Sequence, residues 1–176
     1  CAGEQMKIFI MRHGDAANIA GDDSLRPLTE QGDLEAKIMG QWLLHKKTKL
    51  LDVFVSPYIR AQQTYNNVSS FLIKASLLVN KPKTLDLITP SGNAQHVHDF
   101  LDGLLSESNK AGYGEKNSAI LFVSHMPFVS YFVAELTDKN QMPIFATGAI
   151  AVIDYDTKRM QGQLLDIISP AKLIVK

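Results

Sequence analysis

The sequence has little of what would assign a class at once. Its 176 residues include one cysteine, Cys1, so no internal disulfide can form, and the composition suits a reducing compartment. Neither charge is in excess: 18 basic residues against 18 acidic ones give a formal net charge of zero. That argues against a nucleic-acid or membrane-surface protein, whose mark is a basic surplus, but leaves room for a local basic pocket. No apolar run approaches the roughly 18 residues of a membrane span. The first residues show neither the basic n-region nor the apolar h-region of a signal peptide. A cytoplasmic location is therefore expected. No repeat of solenoid-like period is present.

What is there is a chain of one-domain length, 45% hydrophobic, in which β-type apolar runs alternate with helical patterns. Met6 is followed at once by the strand-like KIFIM. Residues 6–176 are thus expected to form a single domain, with residues 1–5 an expression remnant or disordered terminus, or else the leading cysteine of a processed lipoprotein. Strands are expected at 7–11, 52–55, 84–87, 119–123, 149–155 and 163–168. Helices are expected at 29–47, 57–72, 92–105 and 127–136. Thr29 is the N-cap of the first, and Ser56-Pro57 cap and open the second. Alternation with near-continuous apolar strands predicts an α/β fold: a three-layer α/β/α sandwich whose central sheet is mostly parallel, with the last two strands an antiparallel edge.

Three of these strands end in the same way. IFIM runs into Arg12-His13-Gly14, DVFV into Ser56-Pro57-Tyr58-Ile59-Arg60, and AILFV into Ser124-His125-Met126-Pro127. Open parallel sheets bind ligands outside the carboxyl ends of their strands. If the three are neighbours, Arg12, His13, Arg60 and His125 share one crevice. A lone histidine after a strand is most often a hydrogen-bonded structural residue, and a lone arginine is most often solvated. The joint pattern favours an anion site, because guanidinium forks match phosphate oxygens and no carboxylate or cysteine cluster suggests a metal. A neutral histidine can also attack phosphorus, and nearby arginines would keep it neutral.

These stretches, with RPLTEQG at 26–32, RAQQT at 60–64, LITPSGN at 87–93 and TGAIAVI at 147–153, occur in an order that resembles the histidine phosphatase (phosphoglycerate mutase-like) superfamily. Within it the chain is similar to the small bacterial phosphohistidine phosphatases. The resemblance implies a phosphoglycerate mutase-like sandwich and a hydrolase that needs neither metal nor cofactor. It implies His13 as the nucleophile, Arg12 and Arg60 as phosphate clamps, His125 as a donor to the phosphate, and Gly14 as the carbonyl that orients His13. Thr147 and Gly148 would line the pocket through a backbone N–H. The implied partner is a phosphohistidine-bearing protein, either a phosphorelay domain or a phosphocarrier. The alternatives are a phosphatase for small phosphomonoesters and a phosphate-binding module without turnover.

The sequence departs from the resemblance at one place. Relatives carry a glutamate as general acid where this chain has Leu87, in Leu85-Asp86-Leu87-Ile88-Thr89-Pro90. Asp86, placed in a strand, would point to the other face. Asp15, Asp22 and Asp23 are the other candidates, with a turn-forming role as the simpler reading of each. A missing acid suits a labile phosphorus–nitrogen bond better than a phosphoester. His96 and His98 are too poorly aligned on a helix for a metal site, and Arg26 is expected to hold its loop in place.

Overall fold

A computed structural model describes residues 5–107, 113, 117–139 and 141–174. Its strands are β1 (Gln5–Arg12), β2 (Lys49–Val55), β3 (Lys83–Thr84), β4 (Ser118–Ser124), β5 (Ile150–Asp156) and β6 (Gln161–Ile168). The helices are α1 (Glu30–Lys46), α2 (Ile59–Lys74), α3 (Ala94–Glu107), α4 (Phe128–Leu136) and α5 (Pro170–Ile174). Residues 1–4 lie outside the described residues. Gln5, expected to precede the fold, instead opens β1 opposite Asp156.

The strands form one sheet in the order β3-β2-β4-β1-β5-β6. β4 runs parallel to both β1 and β2, while β5 pairs antiparallel with β1 and β6. Strand alternation sorts the core into two layers. Met6, Ile8 and Ile10 join the α3–α4 side with Phe122, Phe128 and Phe132. Phe9 and Met11 join the α1–α2 side with Met39, Leu43, Val68 and Leu72. Phe122 is fully buried, a contribution of about 3 kcal/mol. The expected sandwich is present.

Local chemistry sets the boundaries. Thr29 caps α1 as expected, its side chain accepting from the Gly32 N–H, and Lys47 ends it in a left-handed conformation. Two expectations fail. α2 starts at Ile59 with Tyr58 at the cap position and no side-chain cap bond, because the Ser56 hydroxyl serves the turn before it and accepts from the Tyr58 N–H at 3.3 Å. The strand expected at 84–87 stops at Thr84, and Asp86–Ile88 wind into a 3₁₀ turn, so strand alternation does not apply to Asp86.

Candidate active site

β2, β4 and β1 are neighbours in the sheet centre, so their carboxyl ends open on one crevice. Backbone bonds fix the three ends against one another. His13 N–H donates to Ser124 O and Ser56 N–H to Val123 O, each at 3.0 Å. Arg12, His13, Arg60 and His125 are thereby brought together. The His13 and His125 rings stand 5.1 Å apart between centroids.

His13 is held at both nitrogens. Its Nδ1 lies 2.6 Å from Gly14 O. A carbonyl can only accept, so the Nδ1 carries the proton and Nε2 keeps its lone pair. Arg60 Nε–H points at that Nε2 from 3.2 Å. Burial, followed by the Arg60 and Arg12 guanidiniums, pushes the His13 pKa down to about 4 against the pull of the Gly14 carbonyl. His13 is therefore neutral near pH 7. Burial, then His13 and Arg60, push His125 down to about 2. The His125 Nε2 lies 2.6 Å from Ser56 Oγ, while its buried Nδ1 has no partner among the described residues. Arg12 gives Nη1 to Phe145 O at 2.7 Å, and its buried Nε is likewise without a partner. Unpartnered buried polar atoms are uncommon. Both belong to side chains on the pocket.

The loop after β1 sits close to α1. A Cβ on Gly14 would meet Gly32 O at 2.5 Å, and one on Gly32 would meet Asp15 O at 2.1 Å. Only glycine at both positions allows this approach. Thr64, four residues after Arg60 on α2, clips the loop to the helix. Its hydroxyl accepts from Gly14 N–H at 3.1 Å and donates to Arg60 O at 2.7 Å.

One expectation changes here. The Gly148 N–H does not face the pocket but donates to His13 O at 2.9 Å, behind the His13 ring. Thr147 turns its hydroxyl to Glu35 at 3.0 Å. Asp15 accepts from Thr29 Oγ1 at 2.8 Å and so supports the α1 cap. Asp86 and Leu87 are exposed on the 3₁₀ turn. Arg26 has the expected holding role, donating to Ala17 O and to the Asp23 and Asn18 side chains. Sequence reasoning missed how Asp23 engages Arg60. Nη1 donates to Asp23 O at 2.6 Å and Nη2 to Asp23 Oδ2 at 3.0 Å. Glu35 was also missed: it receives Asp15 N–H at 2.8 Å. Its only sequence sign is a carboxylate on the apolar face of α1. Among the described residues no histidine, cysteine and carboxylate group has metal-site geometry. No helix among them is long and apolar enough to cross a membrane.

The site has a buried neutral histidine with one unprotonated nitrogen, two guanidiniums and a second histidine around it. The same fold is found in known proteins. The chain is 39% identical over 151 residues to the phosphohistidine phosphatase SixA of Escherichia coli, covering 86% of each. The chain belongs to the SixA family. It is also 38% identical over 162 residues to the SixA homolog of Haemophilus influenzae, covering 89% of this chain and 92% of that one. A solved structure of the protein histidine phosphatase SixA complexed with tungstate superposes with a TM-score of 0.83 at 38% identity, over 96% of this chain and 99% of that one. No protein-family model matches the chain. SixA membership also places the chain in the histidine phosphatase, phosphoglycerate mutase-like superfamily that the sequence resembles.

Proposed function

We propose that the chain hydrolyses phosphohistidine on a partner protein through a covalent intermediate on His13. The observation that carries this is the pinned His13 ring: Nδ1 to Gly14 O at 2.6 Å, Nε2 opposite Arg60 at 3.2 Å. The phosphoryl group docks on Arg12, Arg60 and His125. Arg60 has five N–H donors and uses three, so two remain for phosphate oxygens. With Ser56 Oγ as the donor to His125 Nε2, the His125 proton would sit on the unpartnered Nδ1, available to the phosphate. His13 Nε2 attacks phosphorus as the phosphorus–nitrogen bond of the substrate breaks and the substrate imidazole leaves. Water then cleaves the phosphoenzyme. Arginines and dipoles fixed in advance stabilise the transferring group without reorganising.

Two features favour a phosphohistidine protein over a sugar phosphate. The residue at the usual acid position is Leu87, which cannot protonate an alkoxide, whereas an imidazole leaves with less help. Exposed apolar side chains also lie near the site in sequence. Leu25, Leu87 and Ile144 are exposed on the segments that bring Asp23, Ile88 and Phe145 to the site. The SixA proteins carry the same activity in their names, and tungstate, a phosphate mimic, occupies the solved relative.

The test is a panel of phosphohistidine proteins (phosphorelay domains and phosphocarriers) and small phosphoesters, offered to wild type and His13→Ala. Wild type is expected to prefer the proteins and to show an acid-labile phosphoenzyme, and the variant to do neither. A variant that retains turnover, or a sugar phosphate with the higher kcat/KM, overturns the proposal.

A further inference from the structure

The reaction proposed for His13 has two halves, and the residues described so far account only for the first. Cleavage of the phosphoenzyme needs a group that takes a proton from the attacking water. That water must approach opposite His13 Nε2, from the side the substrate has vacated, which is the solvent side.

Resting on that reading, we propose that the carboxylate of Asp23 is the general base for phosphoenzyme hydrolysis. Its position is set from several directions. Asp22 caps the 3₁₀ turn Asp23–Leu25, accepting from Ser24 N–H at 2.9 Å. Arg60 grips both the carbonyl and the Oδ2 of Asp23. Arg26 Nη1 donates to Oδ1 at 3.0 Å and is itself fixed to Ala17 O at 2.8 Å. Two carboxylate oxygens thus have two fixed donors.

One planar guanidinium therefore carries the attacking nitrogen on its Nε and the Asp23 carboxylate on a terminal nitrogen. The two ends differ in depth. His13 and Arg60 lie on the floor, 7% and 3% exposed, whereas the Asp23 side chain is 53% exposed at the mouth. A phosphoryl group on His13 Nε2 would be flanked by Arg60, with Asp23 on the solvent side, where the water enters.

The other carboxylates nearby bond to groups other than Arg60. Asp15 serves Thr29. Glu35 holds Asp15 N–H and the Thr147 hydroxyl. Asp22 is tied to Ser24. The two arginines on Asp23 also keep it ionised, and its pKa is lowered chiefly by the Arg26 and Arg60 hydrogen bonds. The same guanidiniums that lower its pKa also weaken it as a base, but an ionised carboxylate can accept a proton and not donate one. That suits a substrate whose leaving imidazole needs little protonation and an intermediate whose water needs deprotonating.

The step balances. The water oxygen bonds to phosphorus as the Nε2–phosphorus bond breaks, and that electron pair returns to Nε2. One water proton goes to Asp23 Oδ2, the product leaves as hydrogen phosphate, and Asp23 releases its proton to solvent.

Single-turnover mixing with a phosphohistidine protein separates the two halves. In Asp23→Asn the phosphoenzyme is expected to form at nearly the wild-type rate and to decay slower by roughly 10²-fold, so that it accumulates. Asp23→Glu should restore part of the decay rate. Thermal unfolding and tungstate binding, both expected near wild type, show that the pocket is intact. Unchanged decay in Asp23→Asn overturns the inference. So does slowed formation, which would make Asp23 a residue that only positions Arg60. A wild type that forms no phosphoenzyme overturns the reading of His13 and this one with it. A wild type that forms it, beside an Asp23→Asn variant that does not accumulate it, overturns this one alone.

Discussion

Two histidines near opposite ends of the sheet, His13 after the carboxyl end of β1 and His98 against Tyr155, which pairs with Met6 at its amino end, show what environment makes of one side chain. His98, on α3, is bonded at every opportunity. Its Nδ1 lies 3.3 Å from Glu135 on α4, and its Nε2 lies 2.9 Å from the Tyr155 hydroxyl on β5 and 3.2 Å from Asp102. Tyr155 in turn donates to Asp102 at 2.5 Å. The cluster ties two helices to a strand and leaves no imidazole nitrogen to react. His13 is bonded to a carbonyl at one nitrogen and faced by a cation at the other. Carboxylate neighbours make a histidine a strut. A carbonyl behind and guanidiniums in front keep it neutral with an unprotonated nitrogen, as the proposed attack on phosphorus requires.

The sharpest way to break this contrast is to remove the cation. Arg60→Ala takes away the donor facing Nε2 and part of the phosphate's charge, and kcat/KM on a phosphohistidine protein should fall by about 10³-fold. A fall below tenfold would mean that Arg12 alone carries the phosphate. The depressed His13 pKa gives a second handle. The folded value, about 4, lies below the 6.5 of a free imidazole. The unfolded chain then binds this proton more readily, so acid favours unfolding. This contribution is complete above pH 6.5 and is lost as pH falls towards 4, on the order of 3 kcal/mol. Urea titrations from pH 7 to 4 should show it, and His13→Ala should flatten the slope. Activity should likewise persist below pH 6.5. The smallest effect belongs to the strut. His98→Ala leaves the Asp102 and Tyr155 partners poorly satisfied and should cost about 2 kcal/mol of stability with kcat unchanged. A loss of kcat there would erase the distinction.

The sandwich and the pocket's four central side chains were readable from sequence because they rest on local signals. Apolar runs that end in Arg12-His13, Arg60 and His125 need only the rule that parallel strands bind at their carboxyl ends. What was not readable depends on contacts between distant segments. Asp23 looks like a turn residue in NIAGDDSL, and it is one. Its grip on Arg60 joins positions 37 apart in sequence. Ser56 reads as a cap because Ser-Pro before a helix has that chemistry, yet the hydroxyl lies against His125, 69 positions away. Gly148, a motif glycine near the site, has its N–H drawn behind the pocket because the His13 carbonyl needs a donor. The 84–87 strand failed because two residues of pairing with β2 end where the chain must turn to place Ile88, whose carbonyl receives Ser124 Oγ at 2.6 Å.

The backbone of His13 is bonded on both sides, N–H to Ser124 O and C=O from Gly148 N–H, and Arg12 N–H reaches Ala149 O. His13, one residue past β1, is tied to its neighbours on both sides rather than hung on a free loop. Its amide should be among the slowest to exchange with deuterium, opening only when the sheet opens. The enzyme would then have no early route to inactivation, and heating should abolish turnover at the temperature where the whole fold melts.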